Sequence, residues 1–499
     1  MSAFPSSATA LPVECDFTIP PSLPMEARSY SSSQSPNGIT SVVGVALPTT
    51  IFTAGSAATL ANVQFSAQQL SFDIPCGQSN STFLDCASTS LTFTLQWVVG
   101  TASATSVQPC TINLISSAAS FIDTLQVYAN NVPIESISNY GQLQNLALSC
   151  LVNSAERTGS VGFMGTDYNP SQFSGINLPH AATGTYRFNF SIPLMSIIGQ
   201  NNIGGRYLPV GMLQNLQLFL QTPALLPVVA YATTGATITT QPVISAPSLD
   251  SFFLNTKLVD LGASSVPLLM SSLKGGKLYI KSSTWLNSNI AIPNGTSGVS
   301  TYLLQLRASS IKSLFWYSAQ GPATTTPNGV YDATNIGSNL REQITIGGQN
   351  YPNKEMNPSQ APSWVMWNLM SAWGYGDSMK NFGGIINAYA FNSTLPSVAA
   401  GADSALVVPA AAGTRPVASG SDATAAALVN YLGCAFRGVD LEKAGRSALY
   451  QGVNSRATPP YLTHNYAVAT TAAATIISFA LCDLILEIDP VSKSIVGYI

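Results

Sequence analysis

Apolar residues recur at every second position over short runs of the chain. Leu91, Phe93, Leu95 and Trp97 alternate with Thr92, Thr94 and Gln96, and Tyr186, Phe188, Phe190 and Ile192 alternate with Arg187, Asn189 and Ser191. A period of two sends alternate side chains to opposite faces, so both runs predict strands with one buried and one polar face. Leu216, Leu218 and Leu220 predict another. Val63 and Phe65, then Leu70, Phe72 and Ile74, keep the period but change phase between them, which predicts a bulge or a bend. In the second half, Tyr302–Leu306, Ser313–Tyr317, Ile344 with Ile346, and Ile476–Ile488 are more continuously apolar and predict strands buried on both faces.

Two segments carry the helical period instead. Ile137–Leu151 places Ile137, Tyr140, Leu143, Leu146 and Cys150 on one stripe after Ser136, and Ser363–Trp373 groups Trp364, Trp367, Leu369 and Met370 after a Pro362 start signal. Each follows a similar block. Leu125-Gln-Val-Tyr-Ala-Asn-Asn-Val-Pro133 and Ile344-Thr-Ile-Gly-Gly-Gln-Asn-Tyr-Pro352 both read as a strand, a turn and a proline, and the two prolines lie 219 positions apart in 499 residues. The chain therefore reads as a duplicated β domain. Thr222–Ser248, rich in Pro, Ala and Thr, sets the division: an extended arm over 1–38, then domains over 39–240 and 241–499. Ser393–Ala427 has hardly any large side chains and predicts a surface loop, and Gly321–Asn335 predicts a second.

Composition narrows the function. Hydrophobic residues make up 46% of the chain and charged residues only 8%, against a usual ~25% charged. Charge-driven disorder is excluded. With 19 Lys+Arg against 22 Asp+Glu there is no basic excess to release counterions from nucleic acid, so no direct nucleic-acid binding is expected. Met1–Phe17, interrupted by Pro5, Ser6, Ser7, Pro12 and Glu14, does not read as a secretory signal. Ala472–Ile488 is broken by Asp483 and Glu487 and is too short to span a bilayer, so it reads as a buried strand. The seven cysteines (15, 76, 86, 110, 150, 434 and 482) form no C-x-x-C pair and read as free, mostly buried thiols, with a local Cys76–Cys86 disulfide as the alternative. Sequons at Asn80, Asn189, Asn294 and Asn392 do not establish secretion in so Ser/Thr-rich a chain.

A search for chemistry finds none. No G-x-S-x-G elbow, P-loop, H-E-x-x-H or dinucleotide fingerprint is present. His180 and His464 lie in loop-like contexts and read as solvated or capping residues. Lys274-Gly-Gly-Lys277 reads as a plain turn. Asp483, Glu487 and Asp489 share one strand face and read as hydrated, while Trp364, Trp367 and Trp373 read as core. No catalytic, cofactor-binding or metal residue is assigned, and no enzyme is expected.

Phe121-Ile-Asp-Thr-Leu-Gln-Val-Tyr-Ala-Asn-Asn-Val-Pro-Ile-Glu-Ser-Ile-Ser-Asn-Tyr140 resembles the strand-turn-helix block in the first jelly roll of double jelly-roll major capsid proteins of polinton-like viruses and virophages. Arg341–Pro352 resembles the matching block of the second. Phe436-Arg-Gly-Val-Asp-Leu-Glu442, Gln451-Gly-Val-Asn-Ser-Arg456 and Cys482-Asp-Leu-Ile-Leu-Glu-Ile488 resemble that fold's closing-strand motifs. The resemblance implies an all-β chain of two tandem eight-stranded antiparallel jelly rolls with a few short helices. It also implies homotrimers with a pseudo-sixfold outline, in an icosahedral virion shell around double-stranded DNA, often over an internal membrane. Partners would be the chain itself, neighbouring capsomers, and penton and minor capsid proteins. The protein would be made in the host cytoplasm or nucleus and not secreted. The alternatives are a shell or spike protein of an RNA virus, disfavoured by the single Arg28 among the first ~40 residues, and a carbohydrate-binding β-sandwich.

Overall fold

The computed structural model describes residues 69–76, 80–100, 110–114, 117–152, 176–178, 184–199, 207–223, 228–232, 243–260, 275–320, 340–358, 360–374, 435–442, 452–470 and 473–499, besides isolated residues and short strand pieces between them. His180, Lys274, Cys15, Cys434, Asn392 and nearly all of the two expected loops lie outside the described residues.

The strands of the first half are β1 (Gln69–Ile74), β2 (Thr82–Asp85), β3 (Ser90–Gly100), β4 (Thr124–Ala129), β5 (Val132–Ser138), β6 (Gly184–Pro193), β7 (Leu216–Gln221) and β8 (Val243–Asp260), with helix α1 (Tyr140–Leu151) after β5. One sheet has the order β5-β4-β7-β1. The other runs β6-β3-β8, with Ser41–Val45, Arg28–Gln34 and β2 also paired to β8.

The second half has β9 (Leu278–Ile292), β10 (Gly298–Leu303), β11 (Ile311–Gln320), β12 (Arg341–Ile346), β13 (Gln349–Met356), helix α2 (Pro362–Ala372), β14 (Arg437–Asp440), β15 (Tyr461–Tyr466), β16 (Ala474–Asp489) and β17 (Ser494–Tyr498). Its sheets run β13-β12-β15-β10 and β14-β11-β16-β9. The order β13-β12-β15-β10 repeats β5-β4-β7-β1, and β14-β11-β16 repeats β6-β3-β8; the first half adds a further sheet of Ile176–Leu178, Cys110–Leu114, Val228–Ala232 and Ala58–Thr59. The fold is thus a double jelly roll, and Val127 on β4 and Ile346 on β12 stand on equivalent strands.

The equivalence extends to the turns. Asn130 and Asn131 have φ of 50° and 63°, and Gly347 and Gly348 have 59° and 80°. Two left-handed residues in a two-residue hairpin match the right-handed twist of the flanking strands, which is why Asn-Asn and Gly-Gly serve the same corner. The prolines are not counterparts: Ala129 and Ile346 both close their turns, on Val132 and Gln349, so Pro133 and Pro352 fall at different places on the returning strand.

Three expectations are corrected. Pairing of Val132–Ser138 with β4 holds that segment extended, so α1 begins at Tyr140 rather than Ile137, and its first donors go to the carbonyls of Asp123 and Ile122. All of Tyr140–Cys150 is buried, not one stripe. The phase change before Leu70 is not a bulge but a change of sheet: Gln64–Phe65 pairs with Ser41–Val45, whereas β1 pairs with β7. Finally, β8 pairs with β3 from Val243 to Asn255, so a cut at 240/241 would separate this strand from its partners.

Each half closes over aromatic side chains. Phe93 packs within 5.8 Å of Phe121, Phe190 and Phe252, ring centre to ring centre. In the second half Trp285, Phe315 and Trp373 form a triangle with centroid distances of 4.5–5.8 Å. Helix α2 turns Val365, Leu369 and Ala372 inward, while Trp367 is 47% exposed and does not belong to the core stripe expected for it.

Candidate functional site

The motif residues of the second half meet inside it. Glu342 on β12 accepts from Nε of Arg437 on β14 at 2.6 Å, and His464 Nε2 on β15 lies 3.3 Å from the other carboxylate oxygen. Arg437 also donates to the Ala435 carbonyl, and the chain of contacts continues through His464 Nδ1 and the Tyr466 hydroxyl to the Tyr302 hydroxyl. Burial opposes ionisation of Glu342, but the Arg437 charge and the His464 contacts outweigh it and hold the carboxyl at about 2. Burial, the Tyr302 hydroxyl and the Glu342 carboxylate push the Tyr466 phenol up. His464 is therefore a buried strand residue, not a solvated loop histidine.

Asp483 is likewise buried rather than hydrated. Its oxygens lie 3.6 Å from Lys312 Nζ and 4.0 Å from Lys281 Nζ, and Ser310 Oγ donates to it at 2.6 Å. The Gly452 amide donates to the same Ser310, which links the Gln451–Arg456 and Cys482–Ile488 motifs. Glu487 pairs with Lys277, and Asp489 accepts from the amides of Val491 and Ser492 in the turn to β17. The three carboxylates thus have separate sets of structural partners. Cys76 and Cys86 are free thiols, and burial pushes Cys76 up to about 12.

A second polar cluster joins the halves. Glu135 on β5 is buried and accepts from Ser196 Oγ, from the Ile197 amide at 3.0 Å and from Thr284 Oγ1 on β9 at 2.9 Å. Nearby, Asn139 Nδ2 donates to Asn287 Oδ1 at 2.8 Å, and Asn130 Nδ2 and the Gln214 amide both donate to the Lys493 carbonyl. Gly497 on β17 faces Ile134 so closely that a Cβ there would lie 3.3 Å from its carbonyl oxygen. The seam is built from β5, β9 and β17.

These arrangements hold strands together, and the Ser196 and Ser310 hydroxyls that touch Glu135 and Asp483 are buried with them. A cleft lined by Arg341, Asn357, Gln360, Asn465 and Ala467 contains no His, Cys, Asp or Glu. Among the described residues no three such side chains are grouped to hold a metal, and no helix is long and apolar enough to cross a membrane. Sequence reasoning missed Glu135, Glu342, Lys312 and Arg437, whose partners are distant in sequence; a charge inside an apolar, strand-like run was the available signal.

The sequence matches no family model and no curated protein. Solved structures do share the fold. The Faustovirus major capsid protein matches with a TM-score of 0.53 at 9% identity, covering 94% of this chain and 91% of that one. A chain of the PBCV-1 virus capsid matches at 0.51 and 12% identity, covering 94% and 97%. PBCV-1 VP54, fitted into a reconstruction of the virophage Sputnik, matches at 0.50 and 13%, with the same coverage.

Proposed function

We propose that this chain is the major capsid protein of a double-stranded DNA virus, assembling as pseudo-hexameric homotrimers into an icosahedral shell. The observation that carries the reading is the repeat of the strand orders in both halves, which share their fold with capsid proteins over 94% of the chain. Two similar barrels per chain give three chains six near-equivalent faces, so a threefold ring fills a hexagonal lattice position. With charged residues at 8% of the sequence, broad faces can associate without repulsion. The role is structural, not enzymatic. Its site is the virion, and its partners are further copies and the penton and minor capsid proteins that close a shell.

Native mass spectrometry of protein assembled at low and at ~1 M salt tests the reading. A trimer dominant under both conditions is expected, because apolar contacts are not screened by salt. A dominant 52.2 kDa monomer under both would overturn it and favour the carbohydrate-binding alternative.

A further inference from the structure

We propose that Glu135 is a proton-binding site that governs how tightly the two jelly rolls dock. The inference concerns the seam within one chain and holds whether or not chains assemble. Glu135 lies on β5 of the first jelly roll, and one of its oxygens is held by Thr284 on β9 of the second. The groups that face it are the Ser196 hydroxyl and Ile197 amide, the Thr284 hydroxyl and, from α1, the Tyr140 phenol. No Lys or Arg nitrogen pairs with it among the described residues; Lys281 and Lys312, on β9 and β11, are turned to Asp483. Tyr140 accepts from the Met195 amide and from Gln144, and burial pushes it up, so it stays neutral.

A carboxylate in this position is a buried charge with three dipoles and no cation. Burial outweighs the three hydrogen bonds and pushes Glu135 up to about 7. When protonated, it can donate its proton to one of the two hydroxyls, each of which can turn to accept, and the site becomes neutral with its bonds retained. The other hydrogen bonds across the seam, from Ser138 and Asn139 to Asn287 and from Asn130 and Gln214 to the Lys493 carbonyl, do not titrate. Because the folded value lies above the ordinary carboxylate value, the stabilisation is fully present below about 4.5 and is lost as pH rises through about 7. Opening the seam, which hydrates Glu135, should therefore become roughly thirtyfold more favourable between pH 5.5 and 8.5.

Amide hydrogen exchange on the full chain, corrected for the intrinsic pH dependence of exchange, measures this. Peptides from β5, β9 and β17 should lose protection across that range while β3 and β11 do not. In Glu135→Gln, whose amide reproduces the protonated acid, the seam should stay protected and flat. In Thr284→Val, which removes one bond to the carboxylate, the midpoint should move to higher pH. A flat wild-type seam, a rise that persists in Glu135→Gln, or an unmoved midpoint in Thr284→Val would each overturn the proposal. Should Glu135→Gln not fold, the wild-type and Thr284→Val profiles still decide it.

Discussion

Arg437 and Glu342 stand on opposite sheets of the second jelly roll, 95 positions apart in sequence, with Nε and Oε2 separated by 2.6 Å and both side chains 3% exposed. The pair ties β14 to β12 across the barrel. His464 Nε2 lies 3.3 Å from the second carboxylate oxygen and the Ala435 carbonyl takes an additional guanidinium donor, so the two charges are matched and the guanidinium is hydrogen-bonded on both sides.

Removing one partner should leave the other charge buried and uncompensated. Arg437→Met or Glu342→Leu alone should cost about 3–5 kcal/mol in urea unfolding. The double variant should cost clearly less than the sum of the two, because no orphaned charge remains. Additive costs would show that the two side chains act independently.

Acid should weaken the second jelly roll. The folded Glu342 carboxyl is held at about 2, below its ordinary 4.5, so its contribution is present above about 4.5 and is lost as pH falls toward 2. The full effect is of order 3 kcal/mol. Glu135 works in the opposite direction, its contribution declining from about 4.5 and gone above about 7, so thermal stability should peak near 4.5, falling toward 2 on one side and toward 7 on the other. In Glu342→Gln the acid limb of that profile should flatten.

Gly438 should resist substitution. A Cβ at this position would lie 3.0 Å from Leu369 Cδ1 and 3.1 Å from Ala372 Cβ, where α2 rests on β14. Gly438→Val should lower stability by about 1–3 kcal/mol through overpacking. If Leu369→Ala in the same chain recovers part of the loss, the close approach of helix and strand is the cause.

The sequence by itself determined the strands with one polar face, the duplication and the position of α2. Alternation of Leu91, Phe93 and Leu95, or of Leu70, Phe72 and Ile74, needs only local spacing and a water-facing side, and each of these six side chains is buried. It also disclosed the equivalent hairpins, because left-handed turn residues are chosen locally, by Asn-Asn in one half and Gly-Gly in the other. Tertiary structure decided the rest. Ile137 joins a strand because β4 offers it a ladder, and the run from Tyr302 to Leu306 is strand only to Leu303, after which Leu304 and Leu306 are buried outside any strand. Strand β8 belongs with β3 because hydrogen-bond pairing, unlike side-chain period, cannot be read from one segment. His464 and Asp483 read as solvated while their partners were unknown. They are buried because other side chains meet them there, Glu342 and Tyr466 beside His464, and Lys312 and Ser310 beside Asp483, and burial of a polar group depends on what the fold brings to it.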